Sequence, residues 1–370
     1  EQEWLALPYM LGMLVENPHA NLKDLRGNTI ATTALTGAAK TKESITSRWQ
    51  SSYPGELSMQ CSALYGSSGR GFYIATEDSE AHLKSLAWQH SGENRLDVEF
   101  LSYPSLPLSD GRYELPYPVV TGVFKGDWIS AAKIYRTWAI KQKWYENSRY
   151  RRSLSADWLR ETGLWMWNRS YAENIVVPAA TLKKFAGVRV SVLWHWWHGC
   201  AYDTGFPEDL PPRGGSGEFR DALVSLARKD IQPIVYVNGR LWGTSTQSWQ
   251  DEGALAGAAQ AADGGTYAEV YNTFNRLPCA PMCPQHKVWQ NKISALFVEI
   301  LQDYNLPGIY MDQVAIAEPA RCHNPNHGHD LPGGNGWAAG YHDLMAKMRE
   351  KVDGDRMVAT EGCCEVYMDS

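Results

Sequence analysis

Apolar and polar positions along the chain change their rhythm twice. Over residues 1 to about 125 the runs "SMQCSALYG", "GFYIATED", "RLDVEFLSY" and "YPVVTGVFKG" are short and rich in aromatic and β-branched residues, with Gly, Pro, Ser and Asp clusters between them. That pattern predicts antiparallel strands packed as a sandwich. In "DWISAAKIYRTWAIKQKW" the period becomes helical: Trp128, Ala131, Ala132, Tyr135, Trp138 and Ala139 fall on one stripe behind Asp127 as N-cap. From about 155 onward strand and helix alternate. "TGLWMWNRS" precedes a helix near 176 to 186, and "VRVSVLWHWWHG" precedes one opening at Ser216 with Phe219, Leu223 and Leu226 on its face. "QPIVYVNGRLW" is followed by a long helix bearing Trp289, Ile293, Leu296, Phe297, Ile300 and Tyr304, then by "GIYMDQVA". A helix from Trp337 through Val352 leads into "RMVATEGCCEVYMD".

Five strands in series with helical connections predict a parallel sheet. An open doubly wound sheet and a (β/α)8 TIM-type barrel both fit alternation, so the strand ends arbitrate. They carry Trp167 and Asn168; His195, Trp196 and His198; Asn238, Arg240 and Trp242; Asp312 and Gln313; and Glu361. Barrel enzymes build their sites at the C-terminal ends of several strands, and no Gly-rich phosphate loop follows the first strand. The expectation is an α/β plus β fold: a β-sandwich at 1–126, a connecting helix and linker at 127–154, and a barrel at 155–370 that stops after about five strands.

Composition narrows the chemistry. A formal charge of −6 with no basic run removes the footprint of a nucleic-acid binder, and no apolar stretch approaches the roughly 18 residues a membrane span needs. The 16 Trp and 19 Tyr against 8 Phe favour flat apolar faces with polar edges, as a sugar ring requires. Seven Cys decide nothing about redox compartment. The chain begins at Glu1 without an initiating Met or a signal sequence, so it reads as a piece of a longer protein.

Asp312 is a lone carboxylate in an apolar run, and Glu361 ends the neighbouring strand. Two carboxylates facing one pocket are what glycosidic cleavage uses, one to attack or activate water and the other to protonate the leaving oxygen. Trp167, His195 and Trp242 on the first three strands form the expected sugar wall, with Gln313 beside Asp312. Strand alternation sets His195 and Trp197 against Trp194 and Trp196, and the first pair is assigned to the pocket. Asn238 and Arg240 are candidates to grip hydroxyls. "CHNPNHGH" reads as a loop lining the sugar site, with His327 or His329 donating a hydrogen bond. No metal and no cofactor are expected there, since the spacing matches no standard finger; zinc on Cys279, Cys283 and Cys322 with these histidines, or a disulfide from Cys322, remain alternatives. "LPGGNGW" is a turn and not a phosphate cradle, because no Lys-Ser or Lys-Thr follows.

The segments "WLALPYMLGMLVENP", "GFYIATEDSEAHLKSL", "YPVVTGVFKGDWISAAKIYRTWA", "GIYMDQVA", "CHNPNHGHDLPGGNGW" and "ATEGCCEVYMD" together resemble a poorly characterised bacterial family of glycoside hydrolases. That family is similar to the retaining α-glycosidase barrels, among them endo-α-N-acetylgalactosaminidases, α-galactosidases and α-glucosidases. The resemblance implies an N-terminal supersandwich, a barrel continuing past this chain's end, an oligosaccharide or polysaccharide substrate, and an extracellular or periplasmic location. It implies Asp312 as nucleophile and Glu361 as acid/base. Glu365 stands in the same segment as a rival, and in the α-galactosidase relatives the acid comes from a sixth strand. The alternative from another class is a carbohydrate-binding protein that keeps the wall without turnover.

Overall fold

A computed structural model describes residues 5–7, 13–14, 29–34, 38–40, 48–66, 68–92, 95–352 and 354–369. Of the run "WLALPYMLGMLVENP", only the strands Leu5–Leu7 and Met13–Leu14 fall within them.

The N-terminal half contains two antiparallel sheets. One orders Leu5–Leu7, Arg95–Ser102, Lys84–Gly92 and Arg48–Tyr53, with Met13–Leu14 also on Arg95–Ser102. The other orders Val119–Lys125, Arg70–Thr76, Leu57–Tyr65, Thr29–Ala34 and Ala38–Lys40. Tyr53, Leu64, Phe72, Ile74, Trp88 and Phe100 share one apolar core with residues of the C-terminal half. The Trp88 indole N–H finds its polar partner in Ser62 Oγ at 3.0 Å, as a buried indole requires.

The helix Trp128–Ala139 is capped by Asp127, whose carboxylate accepts from the Ile129 N–H at 3.0 Å. It buries Ala131 and Tyr135, while Trp128 is exposed and lies off the stripe assigned to it.

The C-terminal half is a sheet of five parallel strands, β1 (Thr162–Asn168), β2 (Arg189–Trp194), β3 (Gln232–Asn238), β4 (Gly308–Asp312) and β5 (Met357–Thr360), in that spatial order. Helices α1 (Val176–Ala186), α2 (Ser216–Ala227), α3 (Lys287–Asp303) and α4 (Gly336–Arg349) connect them. Each strand lies beside its predecessor and the order never reverses. A doubly wound sheet needs a reversal at its switch point, so this order is the one compatible with part of a (β/α) barrel. The outer edge of β1 has no strand partner among the described residues, and Leu164, Trp165 and Trp167 are exposed there.

Two strand boundaries differ from those expected. β2 stops at Trp194, so His195 to His198 belong to the following loop. "QPIVYVNGRLW" breaks after Asn238; Leu241–Gly243 forms a separate antiparallel ribbon with Cys279–Pro281. The break is at Gly239, where a Cβ would lie 2.6 Å from the Val314 side chain. Sandwich and parallel sheet are also joined directly: Leu331–Pro332, in the loop after β4, pairs with Ser105–Leu106.

Candidate active site

β3 and β4 are in register with Asn238 opposite Asp312 and Tyr236 opposite Tyr310. The two-residue period of a strand puts these four side chains on one face, while Val235, Val237, Ile309 and Met311 point into the apolar core. Polar and apolar faces of the same two strands therefore separate the chemistry from the packing.

Asp312 receives two donors on one oxygen. The Tyr236 hydroxyl donates to its Oδ2 at 2.8 Å and the Asn238 Nδ2 at 3.4 Å. Asn238 is held in this orientation because its Oδ1 accepts from the backbone N–H groups of Arg240 and Leu241, at 3.0 and 2.8 Å. Glu361 follows β5; its N–H donates to the Met311 carbonyl at 3.0 Å, and its Oε2 accepts from the Gln313 N–H at 3.2 Å. Its carboxyl is hydrogen-bonded to that of Asp312. Burial, then the negative charge and hydrogen bond of Glu361, raise the Asp312 pKa well above the usual carboxylate range, against the opposing pull of Tyr236. Two carboxyls this close cannot both ionise cheaply, and the cost falls on Asp312.

Gln313 adopts a left-handed backbone, φ 68°, immediately after Asp312. Such a conformation is unfavourable for a residue with a side chain, and the contacts around it hold it in place. The Arg240 Nε donates to Gln313 Oε1 at 3.0 Å while the rest of that guanidinium engages Glu269, Nη1 to Oε1 at 2.8 Å and Nη2 to Oε2 at 2.5 Å. Nη2 also reaches the Tyr271 hydroxyl at 3.1 Å. Arg240 has five N–H donors, and these contacts occupy most of them. It braces Gln313 more than it offers hydrogen bonds to a ligand.

On the other side, an aromatic surface runs from Trp167 to Asp312. His195 packs edge-on against Trp167 at 5.6 Å, against Tyr202 at 5.6 Å and over Tyr236 at 4.1 Å. The Arg169 guanidinium lies 4.1 Å from the Trp167 ring centre. His195 is kept neutral: burial, then Arg169 and His198, push its pKa down to about 3. Asp203 adds a third acid. Burial raises its pKa to about 6, partly offset by Arg169 and Tyr202.

Asp312, Glu361, Asn238, Arg240, Gln313, His195 and Trp167 are thus brought together. Five other candidates are not. Trp197 is buried against Phe219 of α2 and donates its indole N–H to the Tyr236 carbonyl at 2.6 Å. Since β2 has already ended, strand alternation no longer governs which way it points. Trp242 is fully buried, 5.9 Å from Trp289 of α3, with its N–H on Ser248 Oγ. Both are core residues. Glu365 lies at the junction with the sandwich, accepting from the Tyr135 hydroxyl at 2.5 Å and the Tyr53 hydroxyl at 3.4 Å; the chain turns through Gly362, φ 73°, and carries it away from Asp312. His327 is buried with its Nδ1 3.2 Å from Cys322 Sγ, and His329 joins the same cluster, which also holds Cys283. Neither histidine has a contact with the Asp312 group.

Tyr236, Tyr202, Asp203, Arg169, Glu269 and Tyr271 are the site residues that sequence reasoning missed. Tyr236 carried a usable signal, lying two positions before Asn238 on the same strand face. The others stand in loops, where no period applies.

The chain is 26% identical over 322 residues to a Bacteroides thetaiotaomicron protein described as "Putative glycoside hydrolase", covering 86% of this chain and 47% of that protein. A Monosiga brevicollis protein with a similar description is 25% identical over 357 residues, covering 86% of this chain and 30% of that one. The chain therefore spans less than half the length of either. Among solved structures, the α-N-acetylgalactosaminidase NagBb from Bifidobacterium bifidum in complex with GalNAc superposes with a TM-score of 0.71 at 15% identity, over 99% of this chain and 60% of that one. The α-galactosidase AgaA from Geobacillus stearothermophilus gives 0.55 at 9% identity, over 92% and 49%. Likeness at these identities establishes the shared fold. Residues 113–370 match a family model across more than half of the sequence, and the chain belongs to the family described as "Domain of unknown function (DUF6259)".

Proposed function

We propose that the chain carries the active site of a retaining glycoside hydrolase acting on an α-linked glycan, with Asp312 as nucleophile and Glu361 as acid/base. One observation carries the reading: Asp312, at the end of the fourth parallel strand, is oriented by two donors from β3 and hydrogen-bonded to the carboxyl that follows β5. The relatives named as glycoside hydrolases and the glycosidase neighbours support it.

Tyr236 and Asn238 both occupy Oδ2, which leaves Oδ1 to attack the anomeric carbon. As that bond forms, the bond to the departing oxygen breaks and Glu361 gives this oxygen its proton. Water then attacks the glycosyl-enzyme, Glu361 takes the water's proton, and Asp312 leaves as carboxylate. This division requires the proton on Glu361 and the charge on Asp312 at the moment of attack. Carboxyls of retaining enzymes stand about 5–5.5 Å apart, farther than a hydrogen bond, so substrate entry must swing Glu361 off Asp312. Trp167, His195 and Tyr202 stack against the sugar. An extracellular or periplasmic location belongs to the same proposal.

The raised Asp312 pKa favours a second reading, a binding protein whose Asp312 is too weak a nucleophile to turn over. The test uses the full-length protein with α- and β-linked aryl glycosides, beginning with N-acetylgalactosaminides and galactosides, and follows the anomer first released by NMR. Release with the substrate's own configuration, lost in Asp312→Asn, is the expected result. Inversion of configuration, or glycan binding with no release in either protein, overturns the catalytic reading. For Glu361→Gln, turnover should fall by roughly 10²–10⁴ on substrates with poor leaving groups and far less on dinitrophenyl glycosides. An equal loss on both would exclude Glu361 as the acid.

A further inference from the structure

We propose that Cys283, Cys322, His327 and His329 form a structural zinc site. One potential ligand atom from each lies within 4.8 Å of all the others. Tetrahedral zinc with bonds of about 2.3 Å to sulfur and about 2.0 Å to nitrogen holds its ligands roughly 3.3–3.8 Å apart. Cys322 Sγ and His327 Nδ1, at 3.2 Å, already have nearly that spacing.

Both imidazoles are set for metal in the usual way, with the far ring nitrogen on a carbonyl so that the near one keeps its lone pair. The Nε2 of His327 lies 2.8 Å from the Ala256 carbonyl, which turns Nδ1 toward the cluster. The Nδ1 of His329 lies 2.8 Å from the Asp330 carbonyl, and its buried Nε2 is left facing the Cys322 thiol, with no hydrogen bond of good geometry among the described residues. A thiol is a weak partner for a buried ring nitrogen, and a metal would satisfy it. The chain from Cys322 to His329 is shaped for this purpose: Asn324 caps the short turn Pro325–His327, and Gly328 at φ 75° reverses direction. The Gln260 N–H points at Cys322 Sγ from 3.5 Å, as backbone amides do toward thiolates.

The cysteines are both free and buried. On binding, each thiol would release its proton to solvent, and two thiolates on Zn²⁺ give a neutral centre suited to burial among Ala259, Tyr267 and Ala320. With four protein ligands there is no open position, so the ion would be structural and not catalytic. It would tie the loop before α3 to the loop after β4, the two excursions that carry Arg240, Glu269 and Gln313. A cavity bordered by Cys283, Cys322, His329 and Trp337 gives an approach.

The test is independent of any glycosidase activity. The full-length protein, equilibrated with zinc and desalted, is assayed for metal by mass spectrometry, and a cobalt-loaded sample is read for thiolate charge-transfer and intense tetrahedral d–d bands. One zinc per chain, with those bands, is expected. Cys322→Ser and His329→Ala should lose the ion, whereas Cys200→Ser, in the separate buried group of His198, Cys200 and Asp209, should keep it. Because the first two variants risk misfolding, the cobalt spectrum of the unaltered protein is decisive alone. Absence of tetrahedral bands, metal lost in Cys200→Ser but not in His329→Ala, or a Cys283–Cys322 disulfide found by peptide mapping overturns the site.

Discussion

Asp312, half-buried, and Glu365, buried, are acids whose hydroxyl donors are tyrosines, and both have raised pKa values. Their surroundings separate them. Glu365 is closed in by the sandwich, beside a buried cluster in which Lys84 meets Asp78, donates to Gln60 at 2.9 Å and lies 4.8 Å from the Tyr53 ring centre. Burial raises its pKa to about 7 even though Tyr135, Gln60 and Lys84 pull the other way. Asp312 faces a second acid and an aromatic surface that includes Trp167, 58% exposed. A perturbed carboxyl alone therefore marks no site; what distinguishes Asp312 is a hydrogen-bonded second carboxyl at an open strand end.

The largest test of that contrast is Asp312→Asn. It should lower hydrolysis by roughly 10³-fold or more while leaving the melting temperature unchanged or higher, since the amide keeps an oxygen for Tyr236 and Asn238 and never opposes the Glu361 charge. Equal losses of fold and activity would place Asp312 in the same class as Glu365.

Glu365 should instead announce itself in stability. Its folded pKa of about 7 exceeds the ordinary 4.5, so the folded state binds more protons than the unfolded between those pH values. Stability then falls as pH rises from about 4.5 to about 7 and levels off above, by about 3 kcal/mol for this group. Urea denaturation across that range should show a slope in the wild type that is reduced by this amount in Glu365→Gln, with sugar binding unaffected; Asp203 and Asp209, also raised, supply the remainder.

Arg240→Lys gives a smaller effect. Lysine cannot reproduce the paired contact with Glu269 and the bond to Gln313 together, so about 1–3 kcal/mol should be lost. Substrate affinity should fall in the same variant through Gln313. Smallest is Trp167→Ala: an exposed ring should cost little stability but weaken binding by about 1 kcal/mol, roughly fivefold. Isothermal titration beside thermal melts checks both.

Asp312 was legible because one carboxylate interrupts an apolar strand, and the strand order followed from the alternation of elements. The tryptophans were not separable. Trp167, Trp197 and Trp242 have the same side chain, and only packing against Phe219 or Trp289 shows that the last two are core. Glu365 misled because proximity in sequence ignores the turn at Gly362. The Cys and His cluster draws Cys283 from one loop and the rest from another, a juxtaposition that no local spacing encodes.

The pairing of Ser105–Leu106 with Leu331–Pro332 gives the sandwich a share in shaping the loop after β4. Ser52 Oγ also reaches Glu318 in the same loop at 3.3 Å, and a Cβ at Gly55 would strike the Ala317 carbonyl. The loop that begins with Gln313 is thus moulded on a surface belonging to the other half of the chain. The two halves are therefore not independent modules, and a substitution on the sandwich rim can reshape the mouth of the proposed site without touching its strand-end acids.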